Sequence, residues 1–82
     1  MTKVYATIDL RSGWQLWVTV QEYRGRHYVH VRRYWIPPGG EAYKETRKGI
    51  AILPEHVAEV RRALAAAEAD ARRLDKEEDE KQ

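Results

Sequence analysis

Apolar and polar positions alternate with a period of two along most of residues 4–36, then recur at steps of three or four from residue 57 onward. The first pattern predicts strands and the second a helix. The clearest strand is 28–35, YVHVRRYW, in which Val29 and Val31 fall on one face and Tyr28, His30 and Arg32 on the other. Residues 4–10 set Val4, Ala6, Ile8 and Leu10 against Tyr5, Thr7 and Asp9, which predicts a strand at a sheet edge. Residues 14–23 set Leu16, Val18 and Val20, with Trp14, against Trp17, Thr19, Gln21 and Tyr23. Arg11-Ser12-Gly13 and Arg24-Gly25-Arg26 read as turns between these strands. The third strand is expected from His27 to Ile36, ended by Pro37-Pro38-Gly39-Gly40, because proline cannot donate to a ladder. Residues 37–48 then read as a polar loop, and 49–53, GIAIL, as a short fourth strand.

Pro54 opens the helix at a position where its missing N–H costs nothing, and Glu55 suits the positive end of the dipole. Val57, Val60, Leu64, Ala67, Ala71 and Leu74 form its apolar stripe. The stripe is narrow and partly alanine, so two such helices can approach closely. It is expected to pack on the sheet and on a second copy of the chain, as a dimer interface. Residues 75–82, DKEEDEKQ, lack apolar side chains and are expected to form a disordered acidic tail. The fold class is therefore α+β: one domain over residues 1–74, with four strands followed by one C-terminal helix, ββββα.

Composition sharpens this. With 82 residues the chain buries a modest share of its surface, and without cysteine it has no disulfide or thiolate-metal staple. Self-association is the remaining route to stability. No apolar run reaches membrane-spanning length and no signal-peptide pattern opens the chain, so the expectation is a cytoplasmic protein, on the nucleoid in a prokaryote. The net charge of +2 hides a gradient: residues 1–53 carry nine basic and four acidic side chains, 54–74 four of each, and 75–82 two basic and five acidic. The strand half is thus +5, which points to a polyanion partner for the sheet.

Alternation places Trp17, Gln21, Tyr23, Arg26, Tyr28, His30 and Arg32 on one face. Rings for bases and cations for phosphates are the chemistry that holds single-stranded nucleic acid. Trp35 falls on the other side by alternation, at a strand end where a bulge or twist can bring it alongside. His27 and His30 lie on opposite faces and His56 is on the helix, so no metal site is expected. There is no cysteine nucleophile, no carboxylate pair flanking a recognisable pocket and no GxxxxGK phosphate loop, so neither catalysis nor a cofactor is expected.

The run from Val18 to His56 closely resembles the C-terminal domain of the transcriptional coactivator positive cofactor four. The shared features are Val18-Thr19-Val20, the hairpin Tyr23-Arg24-Gly25-Arg26, the strand end Arg32-Arg33-Tyr34-Trp35, the Pro/Gly loop, Arg47-Lys48-Gly49-Ile50 and the helix start Leu53-Pro54-Glu55. The resemblance covers residues 14–74; nothing carries over to 1–13. It implies a homodimer of curved four-stranded antiparallel sheets joined through their helices, binding single-stranded DNA largely without sequence preference. It is similar to the small bacterial and phage versions, without the Ser- and Lys-rich region that precedes the eukaryotic domain. By position it assigns stacking to Tyr23 and Trp35, and phosphate contacts to Arg24, Arg26, Arg32, Lys44, Arg47 and Lys48. The chain departs from the family at Trp14, Leu16 and Trp17, where the pattern is more basic, and at Gln21, where the family has arginine.

The expected function is non-catalytic single-stranded DNA binding by a homodimer, in transcription regulation, replication or repair. Single-stranded RNA is an alternative, because stacking on a sheet does not detect the 2′-hydroxyl. A protein-interaction module using the Trp/Tyr/Arg face is another, and the +5 charge of the strand half favours nucleic acid over it.

Overall fold

The computed structural model describes residues 2–80. The chain forms β1 (Lys3–Arg11), β2 (Trp14–Tyr23), β3 (Arg26–Trp35), β4 (Lys44–Ile52) and α1 (Pro54–Glu80). The strands make one antiparallel meander in the order β1-β2-β3-β4, so β1 lies at an edge as its pattern predicted. The expected ββββα architecture is the observed one.

Both short hairpins close with two-residue turns in which both central residues have positive φ. These are Ser12 (55°) with Gly13 (81°) and Arg24 (50°) with Gly25 (80°). This geometry matches the right-handed twist of the flanking strands. Asparagine tolerates the left-handed region better than serine does. Ser12→Asn is therefore expected to raise stability by about 0.5 kcal/mol, read as a higher urea midpoint with an unchanged slope.

The β2–β3 register runs without interruption from Trp14↔Trp35 to Tyr23↔Arg26. It puts Val18 opposite Val31 and Val20 opposite Val29 on one face. Ile50 and Ile52 join them from β4, opposite Val31 and Val29. The other face carries Trp17 opposite Arg32, Thr19 opposite His30 and Gln21 opposite Tyr28.

Two boundaries differ from the sequence reading. β4 begins at Lys44, not Gly49, so the stretch read as the end of a polar loop is strand. Its lysines and glutamate carry no alternation; pairing with β3 imposes the extended form. Between Arg32 and Tyr34 the register shifts, with Gly49 opposite Arg32 and Glu45 opposite Tyr34. Thr46 braces this bulge. Its hydroxyl donates to the Arg33 carbonyl, its carbonyl accepts from Arg32 Nη1 at 3.0 Å, and the Lys48 N–H donates to its Oγ1 at 3.2 Å.

The helix also continues to Glu80, past the expected end at Leu74, so residues 75–80 of the expected disordered tail are helical. The remaining two, 81 and 82, lie outside the described residues, as does residue 1 of the domain. Exposed pairs lead up to this stretch and one reaches into it: Glu68 with Arg72 at 3.1 Å, and Arg73 with Asp70 at 2.8 Å and with Glu77 at 2.7 Å. Each such pair adds a few tenths of a kcal/mol, with the acid N-terminal to the base in the favourable sense for two of them.

The single chain has almost no interior. Among the described residues only Thr19 and Tyr34 are buried, at 1% and 9% exposure. The helix meets the sheet chiefly at β3. Val57 and Val60 are half-buried there, while Ala67 and Ala71 are exposed and Leu64 and Leu74 stand 65% and 46% exposed.

Candidate nucleic-acid interface

The uninterrupted β2–β3 register brings Trp17, Tyr23, Arg26, Tyr28, His30 and Arg32 to one face of the sheet. Along it the side chains differ in how free they are. Near β4, Trp17 and Tyr34 stack with centroids 4.0 Å apart and planes 11° apart, and Tyr43 lies 6.5 Å from the indole. The indole N–H donates to Gln15 Oε1 at 2.8 Å, and Gln15 Nε2 donates to Asp9 at 2.6 Å. Trp17 therefore has one ring face already covered and forms the floor of the surface.

Arg32 is similarly engaged. Its Nε lies 3.1 Å from Glu45 Oε1, and its side chain is 19% exposed. With the bond to the Thr46 carbonyl, the guanidinium is held within the sheet and its charge is largely answered. Tyr34, beside it, has its phenol pushed up from the ordinary 10.0 by burial first and by Glu45 second, with Arg32 opposing. The folded state therefore holds that proton more tightly than the unfolded chain, and this contribution to stability fades as pH rises through the raised value.

The hairpin end is open. Tyr23 is 60% exposed. The Arg24 guanidinium sits 5.2 Å from its ring centroid. Arg26 pairs directly across from Tyr23 and reaches Glu55 of the helix at 3.1 Å, an exposed ion pair of small worth.

Trp35 is not on this face. It pairs with Trp14, centroids 6.0 Å apart, on the side that carries the valines. Arg33 and Lys48 both lie over the Trp14 ring, at 4.3 and 5.1 Å, and Lys44 pairs opposite Trp35. The sequence reading thus joined residues that the sheet divides: Trp35, Lys44 and Lys48 belong to a second aromatic-basic cluster. Twist does not bring Trp35 alongside Tyr23, because the β2–β3 pairing has no bulge. Arg47 is exposed on the β4 bulge. Sequence reasoning left Arg33 and Trp14 out of the site; the signal was their cross-strand register, which alternation alone does not supply.

A four-stranded antiparallel meander that exposes rings and arginines, followed by one helix whose apolar stripe is largely uncovered, defines a small open-sheet α+β domain. The chain belongs to the family of the transcriptional coactivator p15 (PC4), whose family model matches residues 10–63. It is similar to a PC4 homolog from Burkholderia pseudomallei, BPSL1147. In the orthorhombic crystal form the identity is 33% over 80% of this chain and 88% of that one, with a TM-score of 0.73. In the tetragonal form it is 32% over 83% and 98%, with a TM-score of 0.75. The bacteriophage T5 homolog of the eukaryotic coactivator PC4, implicated in recombination-dependent DNA replication, shares the fold. Its identity is 19% over 87% of this chain and 81% of that one, with a TM-score of 0.66.

Proposed function

We propose that the chain acts as a homodimer that binds single-stranded DNA largely without sequence preference, in transcription regulation, replication or repair, on the nucleoid. It does so by holding the strand, not by catalysis. The observation that carries this reading is the hairpin end, where the exposed Tyr23 ring stands between Arg24 and Arg26. An exposed ring offers a stacking face to any base, and the flanking cations reach phosphates without reading sequence. The Trp14–Trp35 cluster, with Arg33, Lys44 and Lys48, supplies a second such surface at the far end of the sheet. Arg47 adds charge along β4.

Support for the homodimer comes from what one chain leaves uncovered. Ile50 is 57% exposed and Leu64 65%. A sheet with one apolar face and a helix with an apolar stripe cannot both find cover in a chain this small. Val57, Val60, Leu64, Ala67, Ala71 and Leu74 lie along the interface in this reading.

The test is a fluorescence-anisotropy titration of a ~20-nucleotide DNA strand, its duplex and the matching RNA at two salt concentrations, with sedimentation equilibrium for the mass. The expected result is twice the chain mass, tight binding of the single strand that weakens steeply with salt, and weak duplex binding, since a duplex hides its base faces. Equal affinity for strand and duplex removes stacking from the mechanism. Absence of binding to all three removes nucleic acid.

A further inference from the structure

We propose that Arg11 is a phosphate-binding residue of the interface, brought to the Trp14–Trp35 end by a strained bulge in the edge strand β1; this rests on the single-strand reading above. The register puts four residues in one row across all four strands: Arg11, Trp14, Trp35 and Lys44. Residues opposite one another in such a row share a face of the sheet. The two indoles thus stand between a cation on each edge strand, three strand spacings or roughly 14 Å apart.

Neither cation reaches this row by regular pairing. In β1 the register moves from Asp9↔Gln15 to Arg11↔Trp14, so Leu10 is the extra residue. Without the shift Leu10 would lie opposite Trp14, and the apolar set Ala6, Ile8 and Leu10 would run on to the strand end. In β4 the shift between Arg32 and Tyr34 brings Lys44 opposite Trp35, where unbroken pairing would bring Thr46. A bulge in an edge strand re-aims a side chain. Here both bulges set a cation in line with an indole.

The β1 bulge is held against backbone strain. Arg11 is exposed and has a φ of 141°, a region that only glycine enters freely. Electrostatics opposes the arrangement as well. Arg33 and Lys48 lie over the Trp14 ring, and among the described residues neither they nor Arg11 and Lys44 have a carboxylate partner. The neighbouring acids are engaged elsewhere, Asp9 with Gln15 and Glu45 with Arg32. Four cations gathered around two rings against strain and mutual repulsion make a site that a polyanion completes. Trp35 also borders a groove of about 410 Å³ with Ser12, Gly13 and residues 37–40. A base laid against this indole has space there, and its phosphate lies toward Arg11, the residue before Ser12.

The test is the anisotropy titration of a ~20-nucleotide DNA strand over a range of salt concentrations. The variants are Arg11→Gln and Arg11→Gly, with Lys3→Gln as the reference for a charge lost at the other end of β1. Both Arg11 variants are expected to bind roughly eightfold more weakly at about 0.1 M salt. Each loses about one from the slope of log affinity against log salt, the share of one phosphate contact. Lys3→Gln keeps the slope. Urea unfolding at fixed protein concentration reads the strain separately. Arg11→Gly is expected to unfold at a higher midpoint than Arg11→Gln, because glycine accepts the φ of 141°. A slope unchanged in both Arg11 variants overturns the contact and leaves single-strand binding intact. An equal fall of slope in Lys3→Gln overturns its placement beside the tryptophans. An Arg11→Gly midpoint at or below that of Arg11→Gln overturns the strained bulge. Absence of binding by the wild type overturns the single-strand reading and this contact with it.

Discussion

Gly49→Ala is expected to lower stability by about 3 kcal/mol, at the upper end of what overpacking costs. A Cβ at this position would lie 2.7 Å from the Arg32 Cα, the Arg32 Cβ and the Val31 carbonyl oxygen. Two of these three atoms belong to backbone, so no side-chain rotation relieves the contact. β3 and β4 would have to separate where Gly49 pairs with Arg32. That is next to the bulge that Thr46 braces, so the bonds from Arg32 and Lys48 to Thr46 would be strained together. Small domains hold only ~5 kcal/mol in all, so the variant is expected to lose most of its margin. Urea unfolding at fixed protein concentration checks this, because the midpoint of the proposed dimer depends on concentration. Gly25→Asn is the comparison: a Cβ there meets nothing within 4 Å and asparagine tolerates the φ of 80° better than other side chains, so its loss is expected to be the smaller of the two. A Gly49→Ala midpoint equal to wild type would mean that the two strands do not approach as closely as their register requires.

Tyr23→Ala is expected to weaken single-strand binding by about 2 kcal/mol, roughly thirtyfold, with the fold retained. The ring is mostly in solvent at the end of its strand, so truncation removes little packing. It does remove the stacking face and the surface over which Arg24 lies. Tyr23→Phe keeps both and is expected to bind as wild type does. Arg24→Gln and Arg26→Gln act differently: each lowers affinity and reduces the slope of log affinity against log salt by about one. The ring variant leaves that slope as it was. A folded Tyr23→Ala protein with wild-type affinity would take the hairpin out of the interface and leave the Trp14–Trp35 end as the remaining candidate.

What could be read from the sequence tracks how strictly each segment alternates. β2 and β3 were legible because Val18, Val20, Val29 and Val31 mark one face without interruption, and the turn glycines fix where they end. The first five residues of β4 were not, since Lys44 to Lys48 are strand only because β3 lies beside them. The last turns of α1 were hidden for a related reason. They hold no apolar residue to show a period, and their pairs count only once the helix has reached them. In the candidate site, the face shared by Trp17, Tyr23 and Arg32 followed from alternation. The engagement of Arg32 by Glu45 and Thr46 did not, because it depends on a bulge. Arg33, Lys48 and Trp14 come together across three strands, and no local pattern encodes that meeting.

The two irregularities of β1, between Val4 and Ala6 and between Asp9 and Arg11, bear on how the protein behaves when concentrated. An edge strand with a straight row of free amides and carbonyls is a template on which further molecules can stack without end. Here the row is broken twice, and Lys3 and Arg11 place like charges at its two ends. The sheet can take a partner across its apolar face and still refuse one along this rim. In the proposed homodimer this rim therefore adds no further copies, and along β1 the assembly does not run on into a fibre.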